Sequence, residues 1–370
     1  MLGTRHYFPI LRWKKAEMNA LHRVRVADKA RMTPIIEITP ASFSPKNRGT
    51  ETEDSLNTES LVAIDPVRDP GSVLRHHAKE VLQFWGNSPF FLELGLLEGA
   101  VPLINGTSHP LTYFTDVARS YRLRMVPVTT LNRSATYKSA VAESVKTGGN
   151  GICIRLSPNE MLGPLFALHL SRAQDELGTN PSATDLLIDY GVFDSEAPAI
   201  AKLLSNLPHL EDWRSLILAR GAFPKDLQGF ELGTRRIPRS DWTSWVGGLN
   251  GSGKLRWPSF SDYTIQYGQY VEPPDNANPS ASIRYTLPEQ WLIMRGEGIK
   301  NKGGPGGAQW NAHATLLVDG EDFYGPDFCD GDEYISKMSR DQKTHGNPMT
   351  WIRAGLNHHM SVVSRQIAAL

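Results

Sequence analysis

Eight charged residues lie inside or directly after short apolar runs of the sequence. They are four acids and four bases: Glu37, Glu93, Asp189, Asp262, Arg12, Lys14, Arg155 and Arg220. Carboxylates can serve as general acids or bases, whereas guanidinium and ammonium groups bind carboxylates and phosphates. Because an unpaired buried charge is costly, this balanced set indicates either a self-neutralising scaffold network or a site for an anionic ligand.

Histidines and cysteines are poorly placed for a metal site. No histidine stands at the end of an apolar run, and Cys153 and Cys329 form no CxxC pair. A hydrolase with two metal ions would show an excess of acids with histidines among them. The sequence therefore predicts no metal site. We expect Cys153 in the core, because it lies in an apolar run, and His76 and His77 on the surface of an early helix.

A repeating pattern of apolar runs and amphipathic segments positions these side chains. The runs predicted as strands are 7–13, 34–39, 90–95, 125–131, 151–156, 185–190, 215–221 and 255–263. The segments predicted as helices between them are 15–26, 72–85, 111–121, 136–147, 164–177, 196–206 and 240–249. Such alternation is typical of βα units and a parallel sheet. Since side chains alternate between the faces of a strand, each charged residue can point into a closed barrel.

Eight successive βα pairs are the number that closes a barrel, with sites expected at the C-terminal ends of the strands. The predicted fold class is α/β, a (β/α)8 TIM-like barrel. An open doubly wound sheet is the alternative, although such sheets usually have fewer strands and no GxGxxG motif follows the first run. We predict the barrel over residues 1–267. Residues 268–370 are expected to form a C-terminal extension that packs over the barrel mouth and is not independent.

Two segments depart from the βα pattern. Residues 42–70 are polar and are expected to form a mobile loop, or alternatively a lid, on the catalytic face. Residues 302–307 read KGGPGG, which predicts a flexible loop. That run lacks the GK[ST] ending of a phosphate-binding loop, so it gives little support for a nucleotide site.

The end of the chain combines large aromatic residues with guanidinium groups, at Trp291, Arg295, Trp351 and Arg353. A helix is predicted over residues 357–369, with Asn357 as its N-cap. The positive end of that helix would favour a bound anion, which makes His358 a candidate general base or phosphate contact. The alternative is a polar helix start followed by valines and an isoleucine that pack on the core.

The overall composition excludes some classes of protein. Lysine plus arginine equals aspartate plus glutamate, at 39 each, so the chain as a whole lacks a basic nucleic-acid footprint. The N-terminus shows no basic-then-apolar signal pattern, and no stretch approaches the roughly 20 apolar residues of a membrane span. We therefore expect a cytoplasmic protein without a membrane partner.

Five phrases, taken in order along the chain, resemble one family. They are YFPILRWK at 7–14, PIIEI at 34–38, PSFSDY at 258–263, IRY at 283–285 and NHH at 357–359. Together with Trp351 they resemble the phage and bacterial beta protein family, first named for a T-even bacteriophage product. The resemblance runs nearly end to end. It implies a barrel protein found in phage and in bacterial neighbourhoods concerned with phage conflict, but no established reaction. The resemblance assigns positions in this sequence but no roles, and these positions are Lys14, Glu37, Asp262, Tyr263, Arg284, Tyr285 and 357–359.

Two functional hypotheses follow. In the first, the protein belongs to an anti-phage defence system, works with a partner protein, and recognises a phosphate-bearing or phage-derived ligand at the C-terminal face of the barrel. The ligand-binding residues are then Lys14, Arg155, Arg284, Tyr285 and Arg295. The alternative is a barrel enzyme, a phosphodiester hydrolase or nuclease-like protein that acts on a nucleotide or nucleic-acid end. Its catalytic residues are Glu37, Asp189, Asp262 and His358, with Asp262 orienting a base.

Overall fold

The computed structural model describes residues 5–44, 69–253, 255–272, 274, 276–341 and 343–370. These residues form eleven strands: β1 Phe8–Leu11, β2 Ile35–Glu37, β3 Phe90–Glu93, β4 Met125–Thr129, β5 Ile152–Leu156, β6 Thr184–Val192, β7 Ser215–Gly221, β8 Gly233–Pro238, β9 Ser259–Asp262, β10 Ser280–Thr286 and β11 Gln290–Gly298. They also form twelve α-helices: α1 Lys15–His22, α2 Val26–Lys29, α3 Pro70–Phe84, α4 Pro110–Ser120, α5 Ala135–Gly148, α6 Pro158–Leu162, α7 Phe166–Leu177, α8 Ile200–Asn206, α9 Ser240–Gly251, α10 Ala308–Val318, α11 Asp330–Arg340 and α12 Pro348–Ala368.

Eight of the strands close into a parallel barrel. Their order is β1-β2-β3-β4-β5-β6-β7-β9, and β9 pairs with β1 to complete the ring. Seven barrel strands lie within the predicted apolar runs, and β6 extends one residue before and two residues beyond its run at 185–190. The predicted (β/α)8 TIM-like barrel is therefore confirmed and the open-sheet alternative is excluded. Sequence reasoning did not predict β8, which lies in the connection between the seventh and eighth barrel strands.

The strands are buried on both faces, as parallel barrel strands must be. One set of side chains fills the barrel interior, and it includes Phe8, Ile35, Val126 and Ile217. The alternate set packs outward against the helices in a second and larger cluster. Cys153 belongs to the interior set and is a buried free thiol, as expected for a core residue.

The last helix, α12, occupies the place of the eighth barrel helix. It packs against α1 and α2, and its apolar face joins the same core cluster as the other barrel helices. Its N-cap lies ten residues earlier than predicted, because Asn347 forms a capping box with Thr350 and Pro348 follows at the first helical position. The prediction that Asn357 caps this helix was therefore wrong.

The extension between β9 and α12 contains two strands of a small antiparallel sheet and two helices. The sheet has the order β10-β11-β8, so a strand from the barrel part of the chain pairs with a strand from the extension. This sheet packs with α10, α11 and α12 around its own apolar cluster. The first residues of the extension, 268–270, line the barrel mouth.

Residues 45–68 of the predicted loop or lid lie outside the described residues, so that prediction stays open. Among the residues that the structure describes, no helix has the length and apolar character needed to cross a membrane.

Candidate functional site

Strand periodicity brings a layer of charged side chains to the C-terminal end of the barrel. Glu37, Glu93, Arg155 and Asp189 each stand two residues after an interior residue, at Ile35, Phe91, Cys153 and Leu187. Because side chains alternate along a strand, a residue two positions further on points to the same interior face. The four side chains therefore meet at the mouth, where sites of this fold are built.

Arg155 lies at the centre of this layer and binds several acceptors at once. Its Nη1 donates to Glu37 Oε1 at 2.8 Å, and its Nε donates to Asp189 Oδ2 at 2.8 Å. Its Nη2 donates to the Tyr263 hydroxyl at 2.8 Å, and that hydroxyl donates to Asp189 Oδ2 at 2.7 Å. Each of the three guanidinium nitrogens of Arg155 thus donates a hydrogen bond to a group of the protein itself.

Glu93 is the most deeply buried carboxyl of the mouth. Its Oε1 accepts hydrogen bonds from the Gly95 amide at 2.6 Å and from Arg133 Nη2 at 3.1 Å. Its Oε2 lies 3.5 Å from Arg155 Nη1 but has no hydrogen-bond partner. Burial raises the pKa of Glu93 above its usual value, although Arg155 and Arg133 oppose this shift. A carboxyl with a raised pKa is a candidate general acid.

A cavity of about 760 Å³ opens above this layer. Its charged lining residues are Glu37, Glu93, Asp189, Asp194, Glu196, Arg133 and Arg155. Its aromatic lining residues are Tyr190, Tyr263 and Tyr270. The volume suits a small molecule, and the acids outnumber the bases.

Arg12 closes one side of the mouth from the interior face of β1. Its Nη2 donates to the carbonyl of Tyr267 at 2.6 Å, and its Nη1 contacts Gln266 Oε1 at 3.5 Å. Its Nε lies 3.9 Å from Glu37 Oε2, beyond hydrogen-bond distance. Arg12 therefore fixes the chain at the rim, directly before the extension begins.

Two of the strand charges point away from the mouth. Asp262 lies on the outer face of β9, where it accepts hydrogen bonds from Tyr7 at 2.6 Å and His359 at 2.8 Å. Arg220 lies on the outer face of β7, with its guanidinium 3.8 Å from the Tyr190 ring centroid. The expectation that these residues point into the barrel was wrong, because each belongs to the strand parity that faces the helices.

Burial opposes ionisation of Asp262, but the contact with His359 and the hydrogen bonds from Tyr7 and Thr264 hold its pKa below the usual value. Burial lowers the pKa of His359 in spite of the neighbouring carboxylate. The neutral ring then donates from Nε2 to Asp262 and accepts the Thr286 hydroxyl at Nδ1, at 2.9 Å. This network joins β1, β9, α12 and β10 out of contact with solvent.

His358 lies in the middle of α12 and is fully buried, not at a helix start. Its Nε2 donates to the Thr286 carbonyl at 2.8 Å, and its Nδ1 lies 2.8 Å from Asp332 Oδ2. The Tyr285 ring stacks on it at 3.8 Å, and the Tyr285 hydroxyl donates to Asp332 at 2.6 Å. Both residues thus belong to a packed network away from the mouth.

The remaining predicted ligand residues do not join Arg155. Arg284 donates to the Ile265 carbonyl at 3.0 Å, and burial lowers its pKa to about 10. Arg295 donates to the Phe230 carbonyl beside the small sheet. Lys14 precedes α1, with Nζ 5.6 Å from the Tyr270 ring. None of the three lines the mouth cavity.

One group of described residues could hold a metal ion. Ligating atoms of Cys329, Asp332 and His358 all lie within 4.8 Å of one another, and the three residues are buried. Asp332 already accepts hydrogen bonds from Tyr285, Cys329 and His358, which hold its pKa low against the effect of burial. The cluster is therefore satisfied as a hydrogen-bonded network.

Sequence reasoning missed part of the mouth. Glu93 was recognised as a strand charge but given no role, although its position two residues after Phe91 signals an interior side chain. Arg133 lies in the loop after β4, where no periodicity places a side chain. His77 is buried against Glu80, whereas His76 is exposed, so the surface prediction holds for only one of the pair.

Comparison with known proteins supports the resemblance seen in the sequence. The family model described as Beta protein matches residues 7–365. No curated protein matches the chain. Because the family model covers almost the whole length, this chain belongs to the Beta protein family.

Proposed function

We propose that this protein is a recognition barrel and that the mouth cavity is its binding site for a small ligand. The observation that carries the proposal is the open cavity of about 760 Å³ whose floor is formed by three carboxyls around Arg155. The C-terminal face is where barrels of this class build their sites, and convergent polar groups in a concave pocket are typical of ligand binding.

The proposal includes a role in anti-phage defence, as a cytoplasmic component that acts with a partner protein on a phage-derived ligand. Its support is membership of the Beta protein family together with the resemblance to phage and bacterial members. A phosphate-bearing ligand has little support in the geometry. The predicted anion-binding residues Lys14 and Arg295 lie outside the cavity, and the donors of Arg155 are taken up by protein acceptors.

Native mass spectrometry of the protein purified from its own host tests the binding proposal. We expect a small molecule bound to the wild type and lost from a Glu37→Gln, Asp189→Asn variant, because both carboxylates line the floor of the cavity. Asp116→Asn is the matched control, since this acid is exposed on α4. A wild-type protein without any bound small molecule, together with a variant that keeps full cellular activity, would contradict the proposal.

An enzyme is the second candidate, and one observation favours it. Glu93 has a raised pKa, and it shares Arg155 with Glu37, so two carboxyls lie side by side at the floor of an open cavity. Such pairs carry out general acid–base catalysis.

The predicted phosphodiester hydrolase is tested with bis(4-nitrophenyl) phosphate. The enzyme proposal requires turnover by the wild type and its loss in Glu93→Gln, and a wild type without turnover contradicts hydrolysis of this substrate class.

A further inference from the structure

We infer that the mouth cavity selects a ligand with an organic cation, an ammonium or guanidinium group, which it inserts among the carboxyls of the floor. This inference rests on the proposed function of the mouth as a binding site and names the chemical class of its ligand. Among the charged lining residues there are five acids and two arginines. Even with Arg12 beside Glu37 as a third base, the acids are in excess, and this excess favours cations over phosphates.

Most donors of the two lining arginines are already engaged by the protein, and the unpartnered Nε of Arg133 is buried. Arg155 donates to Glu37, Asp189 and Tyr263. Arg133 donates to Glu93 and Glu98, and contacts the Gly95 carbonyl at 3.4 Å. An anionic ligand would have to displace these contacts and approach the neighbouring carboxylates, which is unfavourable.

One carboxyl oxygen of the floor, in contrast, is buried without a hydrogen-bond donor, and a second lies beyond hydrogen-bond distance of its ion-pair neighbour. Glu93 is only 2 % exposed, and its Oε2 has no hydrogen-bond partner. Glu37 Oε2 has Arg12 Nε as its ion-pair neighbour at 3.9 Å, which is too long for a hydrogen bond. A buried acceptor without a donor costs free energy, so a ligand that donates to Glu93 Oε2 recovers that cost on binding.

The ligand cation is organic because the floor is already arranged around a guanidinium. The contacts of Arg155 show that Glu37 and Asp189 accept planar N–H donors at hydrogen-bond distance, and Glu93 lies next to them. The described part of the chain brings three metal-ligating atoms within 4.8 Å of one another at Cys329, Asp332 and His358, and not at the mouth. The rim acids Asp194 and Glu196, in the exposed connection from β6 to α8, would steer a cation inward.

Isothermal titration calorimetry of the full chain with agmatine tests this inference, because agmatine carries a guanidinium at one end and an ammonium at the other. Pyrophosphate is the anionic comparison and maltose the neutral one.

We expect agmatine to bind, and Glu93→Gln to weaken its affinity about tenfold, equivalent to ~1.4 kcal/mol. An Asp194→Asn, Glu196→Gln double variant changes only exposed side chains, so folding is preserved, and we expect weaker binding with a smaller dependence on salt. Asp116→Asn should bind like the wild type.

The outcomes separate this inference from the proposed function. If pyrophosphate or maltose binds instead, and Glu93→Gln abolishes that binding, the cation inference is overturned while the mouth remains a recognition site. If no probe binds, the molecule that stays bound to the host-purified protein is identified by its mass. A bound organic cation supports the inference, and a neutral or anionic molecule overturns it. If no probe binds and the host-purified protein carries no ligand, the inference and the proposed function both fail.

Discussion

Neighbouring residues at the end of one strand serve two separate networks. Tyr263 turns into the mouth and binds Arg155, whereas Asp262 turns outward and binds Tyr7 and His359. A second acid, Asp241, lies buried close enough to Asp262 for the two charges to interact. Burial, followed by the charge of Asp262, raises the pKa of Asp241 to about 6. Ionisation of Asp241 at neutral pH therefore lowers the stability of the folded protein.

This arrangement predicts that Asp241→Asn stabilises the protein at neutral pH. The folded-state pKa of Asp241 is raised from 3.8 to about 6, so its contribution is most favourable below pH 3.8 and is lost as the pH rises through about 6. The asparagine resembles the protonated acid at every pH. The difference in unfolding free energy between variant and wild type should be near zero at pH 4 and reach about 1 to 3 kcal/mol at pH 8.

Urea denaturation at pH 4, 6 and 8 measures this difference. Asp116→Asn, on an exposed carboxyl, should show no such trend. A variant that is less stable than the wild type at pH 8 would mean that Asp241 is held ionised by Arg239, the opposing charge beside it, and the prediction would be wrong.

At the scale of elements, two helices of the extension meet through a glycine. The Gly331 amide at the start of α11 donates to Asn357 Oδ1 at 2.9 Å, and Asn357 Nδ2 donates to the Ala20 carbonyl of α1 at 3.0 Å. A Cβ at position 331 would press on the Ala354 backbone carbonyl of α12. Asn357, predicted as a helix cap, thus joins three helices, and this close approach requires the absence of a side chain at Gly331.

Gly331→Ala should destabilise the protein by about 1 to 3 kcal/mol, because the backbone of α12 cannot move away as a flexible side chain could. The matched control is Gly247→Ala in α9, where an added Cβ would meet no atom within 4 Å. That exposed helical position should gain roughly 0.5 to 1 kcal/mol from the higher helix propensity of alanine. Thermal and urea denaturation of the two variants give the comparison, and equal stabilities would contradict the close contact of α11 with α12.

At the scale of the whole molecule, the chain returns twice to the barrel after its eighth strand. β11 pairs with β8, which lies between the seventh and eighth barrel strands, and α12 packs as the eighth barrel helix. Trp291 and Ile293 of β11 and Leu356 and Met360 of α12 belong to the core cluster of the barrel. We propose that residues 1–267 and 268–370 form one folding unit, as the sequence predicts.

A protein ending at residue 267 tests this proposal. Without α12, the outer faces of β1 and β9 lose their cover, and Tyr7 and Asp262 lose the His359 end of their network. We expect no cooperative unfolding transition in far-ultraviolet circular dichroism, whereas the full chain should unfold with one. A truncated protein that unfolds cooperatively at a stability close to that of the full chain would show that the barrel is an independent domain.

The sequence by itself determined the barrel and half of the mouth. Short apolar runs predicted eight strands, and the alternation of side chains along a strand allowed Glu37, Arg155 and Asp189 to point into the barrel, where the structure has them. The pattern failed at β9, where Ser259, Phe260, Ser261 and Asp262 are all buried. A strand that is buried on both faces and carries polar residues on both gives no alternation signal, so its register is set by packing.

Only the tertiary structure decided which charges meet and how α12 is used. The sequence could not rank the predicted ligand-binding residues Lys14, Arg155 and Arg295, because charge and position do not encode distance across the fold. The small sheet holds Arg295 beside Phe230, and the barrel holds Arg155 among three carboxyls. Residues 357–359 give a second example, because their polar side chains suggested an exposed helix start. Packing against α1, α11 and β10 buries them, because each finds a hydrogen-bond partner there.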